Sequence, residues 1–132
     1  MRRSVLDSYA VLVFLFRQQG YEKVLELLER AVGTEKPSLI AAPNWAEVRY
    51  IVERKAGAGQ WPEVRAKLRA LPIEIVPADE LLAEQAGALK ANHRMSLADC
   101  FTAALAQQWK ADLYTGDPEF RAVEKQIRVV WI

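Results

Sequence analysis

The sequence predicts an α/β sandwich built on a mostly parallel sheet. Short apolar runs alternate along the chain with longer segments whose apolar residues recur at three-four spacing. The short runs are apolar without alternation, as strands covered on both faces are. Prolines and glycines close most of them off, so each run is a separate element and not part of a long helix.

The first run is Ser4-Val5-Leu6-Asp7-Ser8, read as a buried strand that ends at a carboxylate. Asp7 is costly to bury unpaired and belongs at the mouth of that strand. Ser8 can cap the helix that follows, Tyr9 to Arg17, which is apolar nearly all round and so should be deeply packed. A second helix, Tyr21 to Val32, places Val24, Leu25, Leu27, Leu28, Ala31 and Val32 on one side, and Gly33 closes it. Ser38 to Ala42, between Pro37 and Pro43, is the second strand. Asn44 then caps a helix to about Ala56 with Trp45, Val48, Ile51 and Val52 as its stripe.

After the break at Gly57-Ala-Gly59, Trp61 to Ala70 forms a short helix with Pro62 near its start. Ile73 to Val76 is the third strand. Ala78 to Ala91 is a helix with a face of Leu81, Leu82, Gln85, Ala86 and Leu89, and Asn92-His93-Arg94 is a polar break. Ser96 to Lys110 carries the clearest helical spacing, in Leu97, Phe101, Ala104, Leu105 and Gln108. Asp112 to Thr115 is the fourth strand, Pro118 to Glu124 a last short helix and Ile127 to Ile132 the fifth strand.

The 132 residues fit one domain spanning 1–132, large enough to bury a core without disulfides or a structural metal. Eighteen Lys and Arg against 17 Asp and Glu leave a net charge of +1, which gives no global drive toward nucleic acid or membrane. Any RNA affinity must come from local patches. The one cysteine, Cys100, permits no internal disulfide and is compatible with a reducing cytoplasm. Met1-Arg2-Arg3 before an apolar stretch imitates a signal peptide, but Asp7 and Ser8 interrupt the stretch and no small-residue cleavage pattern follows. The run is also shorter than the ~20 residues of a membrane span.

Four acids, Asp7, Glu47, Asp99 and Asp117, hold comparable positions at strand ends and helix starts. Each has an ordinary explanation. Glu47 lies three residues after Asn44 and Asp99 three after Ser96, the spacing of a capping box. Asp117 before Pro118 matches an N-cap followed by proline, and Asp7 could cap the first helix. Together they mean more, because right-handed crossovers in a parallel sheet direct all four to the edge where ligands bind. Clustered carboxylates stay ionised only around a cation or basic side chains. Hard oxygen donors without His or Cys suit Mg²⁺ or Mn²⁺, which can activate a water and clamp a phosphodiester.

Val5-Leu6-Asp7-Ser8, Asn44-Trp-Ala-Glu47-Val48, Ser96-Leu-Ala-Asp99-Cys-Phe-Thr-Ala-Ala-Leu-Ala106 and Thr115-Gly-Asp117-Pro-Glu-Phe120 resemble the four motifs of the PIN-domain nucleases. The set is similar above all to the ribonuclease toxins of VapBC toxin-antitoxin pairs. The resemblance covers the whole chain in the family's order. It implies a three-layer α/β/α sandwich with a five-stranded sheet, and a cytoplasmic endoribonuclease. Asp7, Glu47, Asp99 and Asp117 would then bind Mg²⁺ or Mn²⁺ and direct a water at an RNA phosphodiester, leaving a 5′-phosphate and a 3′-hydroxyl. Ser8 and Thr115 match positions whose hydroxyls support the acids by hydrogen bonds. A cognate antitoxin and a homodimer are the implied partners, with the helix from Trp61 to Leu71 able to serve either contact.

Two rivals come from other classes. A non-catalytic module could use the acidic pocket to receive basic peptide or RNA groups, binding without turnover. A phosphoacceptor signalling domain also places Asp at strand ends but needs a Lys after a later strand, where Lys125 is out of place. Among other residues, His93 reads as part of a solvated loop, with a phosphate contact as the alternative, and Cys100 as a packed, inert thiol. Arg54, Lys55, Arg65, Lys67 and Arg69 read as a solvated helix face, or as positive potential for RNA. Arg49 is placed to pair with acids. Trp45 and Trp109 suit core or subunit contacts, while Trp61 is left open between packing and base stacking.

Overall fold

A computed structural model describes residues 2–132. Five strands, β1 (Ser4–Leu6), β2 (Ser38–Ala41), β3 (Ile73–Val76), β4 (Asp112–Thr115) and β5 (Val129–Trp131), form one sheet in the order β3-β2-β1-β4-β5. Every pairing is parallel, with Val5 opposite Leu39 on one side and Leu113 on the other. The sheet is therefore wholly parallel.

Six α-helices cover it: α1 (Ser8–Leu15), α2 (Tyr21–Ala31), α3 (Ala42–Ala56), α4 (Trp61–Arg69), α5 (Glu80–Asn92) and α6 (Leu97–Trp109). Short 3-10 turns span Ala58–Gln60 and Pro118–Val123. Alternation along the strands sorts the two faces. Val5, Leu39 and Leu113 pack with Leu82, Ala86 and Leu105 of α5 and α6, and with Phe120. Leu6, Ile40 and Tyr114 pack with Ala10, Val24, Leu28, Val48, Val52 and Leu68 of α1 to α4. The result is a three-layer α/β/α sandwich. No helix of the described residues is long and apolar enough to cross a membrane.

Several local expectations need correction. Asp7, not Ser8, caps α1, accepting the Ala10 N–H at 2.8 Å. That helix is also shallower than its composition implies, since Phe14, Leu15 and Phe16 are only half-buried. Helix α3 begins at Ala42, two residues before the expected cap at Asn44. Pro43 explains this: its fixed φ suits a helix start and it has no N–H to leave unpaired. Leu81 and Leu97, assigned to buried faces, are 56% and 54% exposed. The inward face of α6 keeps the expected Ala104 and Leu105 and adds Cys100, Thr102, Ala103 and Ala106, whose mostly small side chains let the helix lie close to the sheet.

Gly20 precedes α2 at φ 101° and would carry a Cβ 3.2 Å from the Ile132 carbonyl carbon, so both its backbone and its lack of a side chain fix the end of β5 there. Trp61 is buried and meets Trp45 edge-on, with ring centroids 5.5 Å apart. It belongs to the packing between α3 and α4 and is not free to stack a base.

Candidate active site

The site lies beyond the carboxyl ends of β1 and β4 and is built from four backbone segments. β1 stops at Leu6 because Asp7 turns the chain into α1. Its Oδ1 takes the cap bond, and its Oδ2 accepts the Thr115 hydroxyl at 2.5 Å. The same Thr115 oxygen accepts the Asp117 N–H at 3.0 Å, so one buried hydroxyl ties the end of β1 to the turn after β4. Asp117 caps the Pro118–Val123 turn by accepting the Glu119 N–H at 2.9 Å.

Glu47 sits in the second turn of α3 and is no capping-box residue, because that helix starts earlier. Its Oε1 accepts from the Ser8 hydroxyl at 3.0 Å and from Asn44 Nδ2 at 3.2 Å. Asn44 is fully buried and also donates from Nδ2 to the Ala98 carbonyl at 3.2 Å. It therefore joins α3 to the first turn of α6. Asp99 stands in that turn, its N–H donating to the Ser96 Oγ at 3.2 Å. In a capping box its carboxylate would return the bond to the Ser96 N–H. Here the Ser96 N–H donates to Glu119 Oε1 instead.

Glu119 was not singled out by the sequence reading. It lies two residues after a cap and reads as an ordinary dipole-facing acid of a first turn. One ligand oxygen each from Asp99, Asp117 and Glu119 lies within 4.8 Å of the others. Asp7 joins this trio through Thr115, and Glu47 stands beside it through Ser8 and Asn44. The four expected acids are thus brought to one edge of the sheet, and a fifth comes with them.

Electrostatics show the strain of this crowding. Burial lifts the Asp7 carboxyl from its ordinary 3.8 to about 7, with Asp117 and Glu47 pushing the same way against the Thr115 and Ala10 hydrogen bonds. Asp99 also rises to about 7, chiefly by burial, then by the charges of Glu119, Asp117 and Asp7, opposed by Ser96. None of the ion pairs among the described residues includes any of the five acids. Arg49, expected to pair with acids, bonds Glu53 at 3.3 Å and leaves the cluster alone. The donor set fits a hard divalent cation: carboxylate oxygens only, too close together to share ionisation at neutral pH without one.

Other candidates fall outside the cluster. His93 Nδ1 lies 3.0 Å from the Leu89 carbonyl oxygen at the end of α5. Cys100 is fully buried against the sheet, and burial pushes its thiol up, away from the thiolate a nucleophile needs.

Solved structures share the fold. VapBC2 from Rickettsia felis, crystallised with a DNA fragment from its promoter, superposes with a TM-score of 0.76 at 18% identity, covering 98% of each chain. The Sarcin-Ricin loop cleaving toxin VapC20 of Mycobacterium tuberculosis gives 0.75 at 13% identity, covering 98% of this chain and 99% of its own. A toxin-antitoxin complex from Klebsiella pneumoniae gives 0.70 at 21%, covering 96% and 95%. No curated protein matches the chain by sequence. Residues 4–126 match the PIN domain, and that match over most of the chain, on a wholly parallel three-layer fold with acids at its carboxyl edge, makes this protein a member of the PIN domain family.

Proposed function

We propose that this protein is a divalent-cation-dependent endoribonuclease, the toxin of a toxin-antitoxin pair. The observation that carries the reading is the unneutralised carboxylate cluster, in which Asp7 and Asp99 are both raised to about 7. Such a site is poised to gain a cation. Asp99, Asp117 and Glu119 would hold Mg²⁺ or Mn²⁺, with Asp7 and Glu47 completing the acidic lining. Bound there, the cation would lower the pKa of a water and offset charge on the phosphodiester.

The chain's own residues do the positioning. Thr115 fixes Asp7 and the Asp117 backbone together, and Ser8 and Asn44 hold one oxygen of Glu47. Asp7 and Glu47 would orient water and receive its proton. No protein nucleophile is needed, which agrees with the buried, protonated state of Cys100.

The antitoxin assignment is supported by the toxin-antitoxin complexes among the structural neighbours. Phe14 and Leu15 on the half-buried side of α1 line a cavity of about 290 Å³ together with Tyr21, Leu68, Leu71, Arg17 and Lys67. An apolar segment with acidic flanks would suit it.

Purified protein incubated with total RNA and Mg²⁺ tests the reading. Discrete cuts that disappear with a chelator and in Asp7→Asn, Asp99→Asn and Asp117→Asn are expected. Cleavage retained by a folded Asp99→Asn protein, or RNA binding without turnover by the wild type, overturns it.

A further inference from the structure

Tyr9 lies beside the acidic cluster and no part of the mechanism above uses it. It is the second residue of α1, next to Ser8 and two from Asp7. Its ring rests on Gly116, the residue between Thr115 and Asp117. A Cβ at Gly116 would stand 2.4 Å from Tyr9 Cε1, 2.7 Å from Cζ and 2.9 Å from the hydroxyl oxygen. Gly116 is not among the glycines at positive φ, so its backbone does not demand glycine. The ring lies where a side chain at 116 would begin, so a larger residue there would displace the phenol.

This contact covers one part of the ring and leaves the rest open. Tyr9 remains 40% exposed, and its hydroxyl has no hydrogen-bond partner among the described residues. An aromatic seated on one side and open on the other is a stacking platform. With a cation among the carboxylates answering the phosphate charge, what Tyr9 adds beside them is an uncharged aromatic face, and a nucleobase presents a flat face to a phenol.

We propose that Tyr9 stacks an unpaired nucleobase beside the phosphodiester being cut, and so makes the base at that one position part of what the site recognises. A base can lie on the ring only when it is released from its own helix. The inference rests on the ribonuclease reading and adds a specificity residue to it.

The test uses the full chain and a short single-stranded RNA carrying a cut site mapped with the wild type. A series of RNAs each lacking one base beside the cut is assayed in parallel. Tyr9→Ala is expected to raise KM roughly 5- to 150-fold with kcat little changed. One abasic position should raise KM for the wild type by a similar factor and have no further effect on Tyr9→Ala. Tyr9→Phe should restore wild-type values. Tyr9→Leu, which keeps an apolar cover over Gly116 but has no aromatic face, should behave as Tyr9→Ala even if the alanine variant folds poorly. A KM within twofold of wild type in Tyr9→Leu, or equal sensitivity to every abasic RNA in wild type and variant, overturns the stacking role while leaving the nuclease assignment standing. Absence of cleavage by the wild type overturns both.

Discussion

Glu119 accepts the backbone N–H of Ser96, a bond that a capping box would have given to Asp99. The Ser96 hydroxyl still accepts the Asp99 N–H, so half of the box is local and half is supplied from the turn after β4. The substitution separates two roles that one residue cannot fill together. Asp99 keeps its place in the first turn of α6, and its carboxylate is left to the cluster. Glu119→Ala should therefore lower stability by about 0.5–2 kcal/mol, the usual effect of losing a cap. Glu119→Gln, which retains the acceptor, should recover most of it. Urea unfolding of the two variants checks the difference, and equal losses would show that charge and not the cap bond is what matters.

The raised carboxyls predict how stability depends on pH. A carboxyl at about 7 in the folded protein and 3.8 when unfolded binds more protons folded than unfolded across that interval. Stability then falls as pH rises. The contribution of Asp7 and Asp99 is fully present below about 4, is lost as pH climbs toward 7, and is flat above it. Chemical unfolding of metal-free protein from pH 5 to pH 8 should show this decline, and Asp7→Asn should make it shallower. A stability that rises over that range would contradict the burial of these acids.

Cation binding and cluster repulsion act in opposite directions, and one variant reads both. Without metal at pH 8, Asp99→Asn removes a charge from beside Asp117, Glu119 and Asp7 and should raise the melting temperature. With Mg²⁺ or Mn²⁺ the wild type should gain stability with concentration, as any ligand specific to the folded state produces. Asp99→Asn should gain little. Thermal melts across a metal titration measure both effects together, and identical responses in the two proteins would remove Asp99 from the ligand set.

Thr115 is buried and serves two bonds through one oxygen, donating to Asp7 and accepting from the Asp117 N–H. Thr115→Val keeps the shape and leaves both partners unsatisfied, which should cost about 1–3 kcal/mol. It should also push the Asp7 carboxyl further up, because the bond from Thr115 is the foremost influence holding it down. Thr115→Ser should be close to wild type in unfolding and in cleavage. A valine variant as stable as wild type would mean that the hydroxyl is not the tie between β1 and β4.

Much of this fold is written in local pattern. Ser38–Ala41 and Ile73–Val76 are mostly apolar at strand length between prolines, Val5-Leu6 stops at a carboxylate, and the intervening segments have helical spacing, so the order of elements and the parallel sheet follow. Where local pattern misled, a tertiary choice intervened. Leu97 fits the helical stripe of α6 but projects to solvent, because the run of Ala103 to Ala106 permits a closer approach on another face. Trp61 lies next to a glycine-rich break and still becomes core, since Trp45 on the preceding helix meets it.

The sequence by itself determined that Asp7, Asp99 and Asp117 stand at strand ends and helix starts of a parallel α/β chain, while Glu47 lies one turn further into its helix than the pattern implied. Crossover handedness sends such positions to one edge, and that rule needs no knowledge of side-chain contacts. Only the tertiary structure decided which acids act as caps and which are left free. Glu119 replaces Asp99 at the Ser96 N–H, Asn44 holds Glu47 from inside α3, and Thr115 reaches Asp7 from a strand 108 residues away. The reason is that a carboxylate's partner is chosen by distance in space. Spacing along the chain makes Asp99 a good cap, but the fold brings a second acid to the same N–H.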